Sequence, residues 1–216
     1  IGDWDVSRVT DMSDLFRNKR TFNEDISKWN TSNVKNMKYF LAYVFDFNQD
    51  ISTKQITKSD GSKYIAWDVS NVENMRSMFS HARDINLDIS NWNVSRVKDM
   101  AYMFANAQKF NQDISTKQIT RSDGSTYTAW DVSKVENMEA MFYMCFKFNQ
   151  TLNWDTSKVK DTKNMFLGSK GSLNKEKNYI KKFSFKNNVK DNLGTYILSS
   201  ILLISIIVLI IIILKK

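Results

Sequence analysis

The chain has no proline, six glycines, one cysteine and one histidine among 216 residues. A single cysteine rules out a disulfide framework, and the shortage of Cys and His rules out the usual zinc-site clusters. Cys145, within MFYMCFKF, reads as a core filler. His81 has no partner spaced for a catalytic triad or a metal site and reads as a surface residue beyond a helix. The lack of proline also excludes a wall-sorting signal of the proline-containing kind.

Positive charge is plentiful but unevenly placed. The formal net charge is +8, and residues 175–192 carry six lysines against Glu176 and Asp191, with Lys215 and Lys216 at the end. About +2 is left for the rest, so the excess sits beside a hydrophobic run and does not line a nucleic-acid groove. That run, YILSSILLISIIVLIIIIL from Tyr196 to Leu214, has 19 uncharged residues. As a helix it is about 28 Å long, the thickness of a bilayer core. The expectation is a single membrane span over 193–214, behind a lysine-rich linker at 175–192 and ahead of a basic tail at 215–216.

Residues 1–174 are a repeat. Tryptophans stand at Trp4, Trp29, Trp67, Trp92, Trp130 and Trp154, spaced 25, 38, 25, 38 and 24 residues apart. The unit is a coil of 25 residues with 13 more inserted in every second one, a period in the solenoid range. Three residues after each tryptophan is a serine, and five after it a valine. Apolar residues such as Met12, Leu15 and Phe16 then follow at the spacing of a helix face. With the serine as N-cap, and SNVE and SKVE as capping boxes, each coil is expected to hold about two helical turns. Further on, Asn23, Asn48, Asn86, Asn111 and Asn149 form a row suited to bonding turn backbone. The stretch from DIS to the next Trp-x-Val alternates as a short strand does. One coil cannot bury its own apolar stripe, so stability has to come from stacking. Ile1 precedes Trp4 as Ile26 precedes Trp29, so the sequence is expected to begin inside an array.

The insertions, TKQITKSDGSKYIA (53–66) and TKQITRSDGSTYTA (116–129), place β-branched and aromatic residues around Asp60-Gly61 and Asp123-Gly124. That is a hairpin signal, and two flaps projecting from one side about 10 Å apart are expected. They make a candidate contact ridge through Lys54, Gln55, Lys58, Lys63 and Tyr64, and through Lys117, Gln118, Arg121 and Tyr127.

The motif WDVSNVENMRSMF followed by FNQDIS resembles the repeat of BspA-like leucine-rich-repeat surface proteins, in the form abundant in mycoplasmas, across residues 1–174. The resemblance implies an α/β repeat fold: a β/α solenoid of about six coils with two hairpin insertions, here followed by a C-terminal transmembrane helix. It also implies display on a cell surface, adhesion or protein binding, and no catalytic residues. The acidic and amide rows repeat one group along the rod, which speaks against an active site, so no enzyme, cofactor or metal is expected.

The resulting reading is a non-catalytic, membrane-anchored surface protein whose partner is another protein or cell-surface macromolecule and not nucleic acid. Sidedness is divided. The lysines before the span favour the cytosol by the positive-inside rule, and the resemblance favours the outside, which is preferred. A cytosol-facing tail-anchored scaffold and a spacer for an N-terminal domain are the alternatives.

Overall fold

A computed structural model of the chain describes residues 1–174, so the linker, span and tail expected at 175–192, 193–214 and 215–216 lie outside the described residues. Equivalent residues of successive coils meet in a line of parallel bridges, from Asp11 to Asn36, Asn74, Asp99, Asn137 and Asp161. Coils bridged in this way are stacked at strand spacing, about 4.8 Å.

The backbone of these coils overturns the expected helical turns and, with them, the α/β class. The fold is essentially all-β, with short two-stranded sheets and no α-helix among the described residues. A helix commits every interior N–H to a carbonyl four residues back in its own chain, whereas here alternate N–H groups bond the next coil. The segments with helix-like apolar spacing run instead as strings of overlapping turns. Met12, Asp14, Phe16 and Asn18 donate their backbone N–H to Asn36, Lys38, Phe40 and Ala42 of the next coil at 2.8–3.0 Å. Leu15, Arg17 and Lys19 between them donate three residues back, to Met12, Asp14 and Phe16.

The alternation needs peptide planes that flip, and two residues per coil supply this by adopting positive φ. They are Asp14 and Asn18, Tyr39 and Tyr43, Ser77 and His81, Tyr102 and Asn106, Ala140 and Met144, and Asn164 and Gly168. Only the last of these is glycine. The others each cost about 1–2 kcal/mol, offset in every coil but the last by the N–H bond each makes to the next coil.

The serines are not helix caps. Each donates an Asx bond to the residue after the tryptophan: the N–H of Ser7, Ser70 and Ser133 donates to Asp5, Asp68 and Asp131 Oδ1, all at 3.0 Å. Nor is the DIS-to-tryptophan stretch a strand; it is irregular backbone in which Asp25, Asp50, Asp88 and Asp113 cap the N–H of the serine two residues on. Among the described residues one parallel sheet, Thr151–Leu152 with Ser172–Leu173, lies near the end of the stack.

The core is a set of rows. Phe104 lies 5.5 Å from Phe79 and 5.6 Å from Phe142, and Phe142 lies 5.4 Å from Phe166, all stacked. Each buried tryptophan also staples two coils: the indole N–H of Trp67, Trp92, Trp130 and Trp154 donates to the carbonyls of Ile26, Ile51, Ile89 and Ile114 at 2.8–2.9 Å. Trp29 reaches Ile1 O at 3.3 Å, while Trp4 stays 57% exposed. The asparagine row continues the scheme, with the N–H of Asn48, Asn111 and Asn149 donating to Asn23, Asn86 and Asn111 Oδ1.

One exposed row alternates in sign down the stack: Lys35, Glu73, Lys98, Glu136, Lys160. Lys98 pairs with Glu73 at 2.8 Å and Lys160 with Glu136 at 2.5 Å. The glutamates therefore belong to ion pairs and not to capping boxes, and their lysine partners hold both carboxyls below their ordinary range. A carboxyl lowered by folding stabilises above its unfolded pKa, and that contribution is lost as pH falls through the folded value. Replacing both, Glu73→Lys with Glu136→Lys, puts five lysines in line at strand spacing. Thermal melts should show a lowered midpoint at low salt that recovers toward the parent near 1 M salt, where the screening length is about 3 Å. A salt-independent loss would rule out charge alternation as the cause.

Among the described residues no helix is long and apolar enough to cross a membrane. The expectation of a membrane-anchored, single-pass protein with its repeats displayed outside is therefore not supported. The run on which it rested lies outside the described residues.

Candidate binding site between the flaps

The two insertions form antiparallel hairpins: β1 (Lys54–Thr57) with β2 (Lys63–Ala66), and β3 (Lys117–Thr120) with β4 (Thr126–Ala129). Gly61 and Gly124, at φ 81° and 82°, supply the left-handed residue of each short loop, and Asp60 and Asp123 bind the serine two residues on through both its N–H and hydroxyl. Such a turn joined to flanking β-formers makes the hairpin locally favourable.

The flaps are fixed to the stack. Asn91 holds Thr53 through both backbone groups, and Asn153 holds Thr116 in the same way. The Thr53 and Thr116 hydroxyls donate to Trp67 and Trp130 carbonyls at 2.8 Å. Re-entry puts Trp67 and Trp130 at φ 51° and 50°. Neither flap projects free of the stack. Tyr64 OH donates to Lys28 O at 2.6 Å, and Tyr127 OH to Asn91 O at 2.5 Å, drawing each hairpin onto the coils.

Register sorts the predicted contact residues. Gln55 pairs with Ile65 and shares one face of the first flap, while Ile56 and Tyr64 lie on the other. In the second flap Ile119 pairs with Tyr127. A cleft of about 370 Å³ is lined by Gln55 and Ile65 from the first flap and by Ile119, Arg121 and Tyr127 from the second, so these faces confront each other. Ser122 Oγ donates to Gln55 Oε1 at 2.8 Å, joining the flaps near the second hairpin's tip.

Of the nine residues expected to bind a partner, the structure brings Lys54, Gln55, Arg121 and Tyr127 to this cleft. Lys54 is committed to Asp50 at 2.6 Å. Lys58 and Tyr64 pair on the opposite face, 5.6 Å from ammonium to ring centroid. Lys63 and Lys117 are exposed, and Gln118 is spent on Thr128 Oγ1 at 2.8 Å. Ile65, Ile119 and Ser122 were missed; strand alternation would have put Ile119 beside Tyr127, but nothing local says that two hairpins 63 residues apart face each other.

Arg121 is the unusual member. Its guanidinium lies 4.5 Å from the Tyr127 ring centroid, and its Nε is buried without a hydrogen-bond partner. No carboxylate among the described residues forms a salt bridge with it. Asp123, in the same loop, has its Oδ1 occupied by Ser125. Burial raises the Tyr127 phenol pKa, with Arg121 pulling the other way.

Outside the cleft, Cys145 and His81 are both engaged. Cys145 is buried, lies 2.9 Å from Ala107 O, and has its thiol pushed up to about 12 by burial. His81 is not a bare surface residue. It stacks on Tyr43 at 4.3 Å, with Nδ1 2.9 Å from Ser80 Oγ and Nε2 3.2 Å from Asn106 Nδ2. Desolvation, then Arg83, lowers its pKa. Among the described residues no group of three His, Cys, Asp or Glu side chains is placed to hold a metal ion.

The architecture defines a class: an all-β stack of short coils, closed by inter-coil bonds and carrying paired hairpin flaps. The chain belongs to the family described as "Mycoplasma protein of unknown function, DUF285", which it matches over residues 1–64 and 54–183. Membership of the BspA-like leucine-rich-repeat proteins is not supported, because the matching family is this one and, among the described residues, no helix backs the coils. No curated protein and no solved structure matches the chain.

Proposed function

We propose that the chain is a non-catalytic binding module: the coil stack is a rigid frame, and the facing flaps receive a segment of a partner polypeptide between them. The observation that carries this reading is the pair of hairpins anchored in register two coils apart, with a cleft between their inner faces. The size of the cleft is that of small-ligand sites. Against catalysis stands the use of the acidic rows as turn caps, repeated coil after coil.

The test removes the flaps without cutting a coil. Deleting 54–66 leaves Ile51-Ser52-Thr53-Trp67, the spacing already present in Ile26-Ser27-Lys28-Trp29; deleting 117–129 does the same after Ile114. The double deletion should unfold cooperatively, with Trp67 and Trp130 released from positive φ at a gain of about 1 kcal/mol each. Peptides selected from a random library on the full chain should lose binding to the deleted form. Equal binding of those peptides to both forms would refute the reading.

A further inference from the structure

Resting on that reading, we infer that the cleft between the flaps takes a carboxylate group of its ligand, an acidic side chain or a chain end, held in the fork of Arg121. The first hairpin carries Lys58 where the second carries Arg121, and only guanidinium presents two parallel donors to a carboxylate. The Tyr127 ring fixes the guanidinium from one face. An arginine donor buried without an acceptor is destabilising, and a small rotation that brings Nε onto a ligand oxygen removes the penalty.

Charge selects among anions. Lys54 is neutralised by Asp50, and Asp123 lines the same cleft, so Arg121 is the one cation there without an ion pair among the described residues. One guanidinium without an ion pair, with a carboxylate nearby, suits a monoanion and disfavours a phosphate dianion. Ile65 and Ile119 add aliphatic wall, matching the methylenes of a glutamate side chain better than a sugar or a bare ion. Asp123 makes no salt bridge with Arg121: its Oδ1 is held by Ser125, whose bonds are the main cause of its lowered pKa, with a smaller contribution from the Arg121 charge.

The experiment follows the Arg121 Nε–H resonance of the full chain, assigned by its loss in Arg121→Lys. The probes are N-acetyl-glutamate methylamide, its glutamine counterpart, and inorganic phosphate, each to about 50 mM, since a single seated carboxylate should bind in the millimolar range. The expected result is a saturating downfield shift with the glutamate compound, none with the amide, and a weaker response to phosphate. Peptides selected on the full chain should weaken about tenfold or more on Arg121→Lys, which keeps charge and ring contact but loses the fork. Thermal midpoints close to the parent would show that the stack is intact. A shift equal for glutamate and glutamine compounds, or stronger for phosphate, would overturn the assignment. If flap deletion abolishes peptide binding while Arg121→Lys leaves it unchanged, the carboxylate seat fails and the flap reading stands; if neither matters, both fail.

Discussion

Trp92→Ala should bring the stack close to unfolding, with a loss of about 4 kcal/mol or more set against a typical total of 5–15 kcal/mol. The side chain is fully buried, lies parallel to Trp67 at 6.3 Å, and touches Phe79 at 6.1 Å. Truncation opens a cavity across two coils and also strips the Ile51 carbonyl of its indole donor. The two effects separate in Trp92→Phe, which keeps most of the ring contact and loses the donor, for about 1–3 kcal/mol. Trp4→Ala is the control: the same repeat position, but 57% exposed, so its cost should stay below about 1 kcal/mol. Urea unfolding followed by circular dichroism measures all three. If Trp92→Ala were no more damaging than Trp4→Ala, the tryptophans would not be the staples between coils.

The second large effect concerns the backbone. Ala140 has φ 50° and donates its N–H to Lys163 O at 2.8 Å, a bond that ties the last coil to the one before it. Ala140→Pro removes the donor and demands φ near −65°, and should cost about 3 kcal/mol or more. Ala140→Gly keeps the donor and relieves the left-handed strain, against one lost methyl and a more flexible unfolded chain. It should fall within about 1 kcal/mol of the parent. Opposite outcomes at one position would separate backbone conformation from side-chain packing. If proline were tolerated, the string of turns would be wrong. The same reasoning fits the lack of proline in the coils, since much of their backbone is committed sideways through its N–H groups.

Some of this could be read locally. Asp60-Gly61 and Asp123-Gly124, flanked by Ile, Thr and Tyr, mark the hairpins because a turn and its two strands are contiguous in the chain. The asparagine row reads as turn-bonding because its amide serves backbone at equivalent places in every coil. The binding cleft was legible only in part. Lys54, Gln55, Arg121 and Tyr127 reach it, whereas Lys58, Tyr64, Lys63, Lys117 and Gln118 go elsewhere, because which face of a hairpin is turned inward depends on how it lies on the coils.

By itself the sequence determined the 25-residue period, the rows of like residues and the places where hairpins interrupt them, since each follows from identity and spacing along the chain. Only the tertiary structure decided between helix and turn. The spacing of Met12, Leu15 and Phe16 suits either, and local propensity cannot see the neighbouring coil. With the coils stacked, alternate N–H groups of the segment meet carbonyls of the same segment in the next coil, and a helix would have spent them within its own chain.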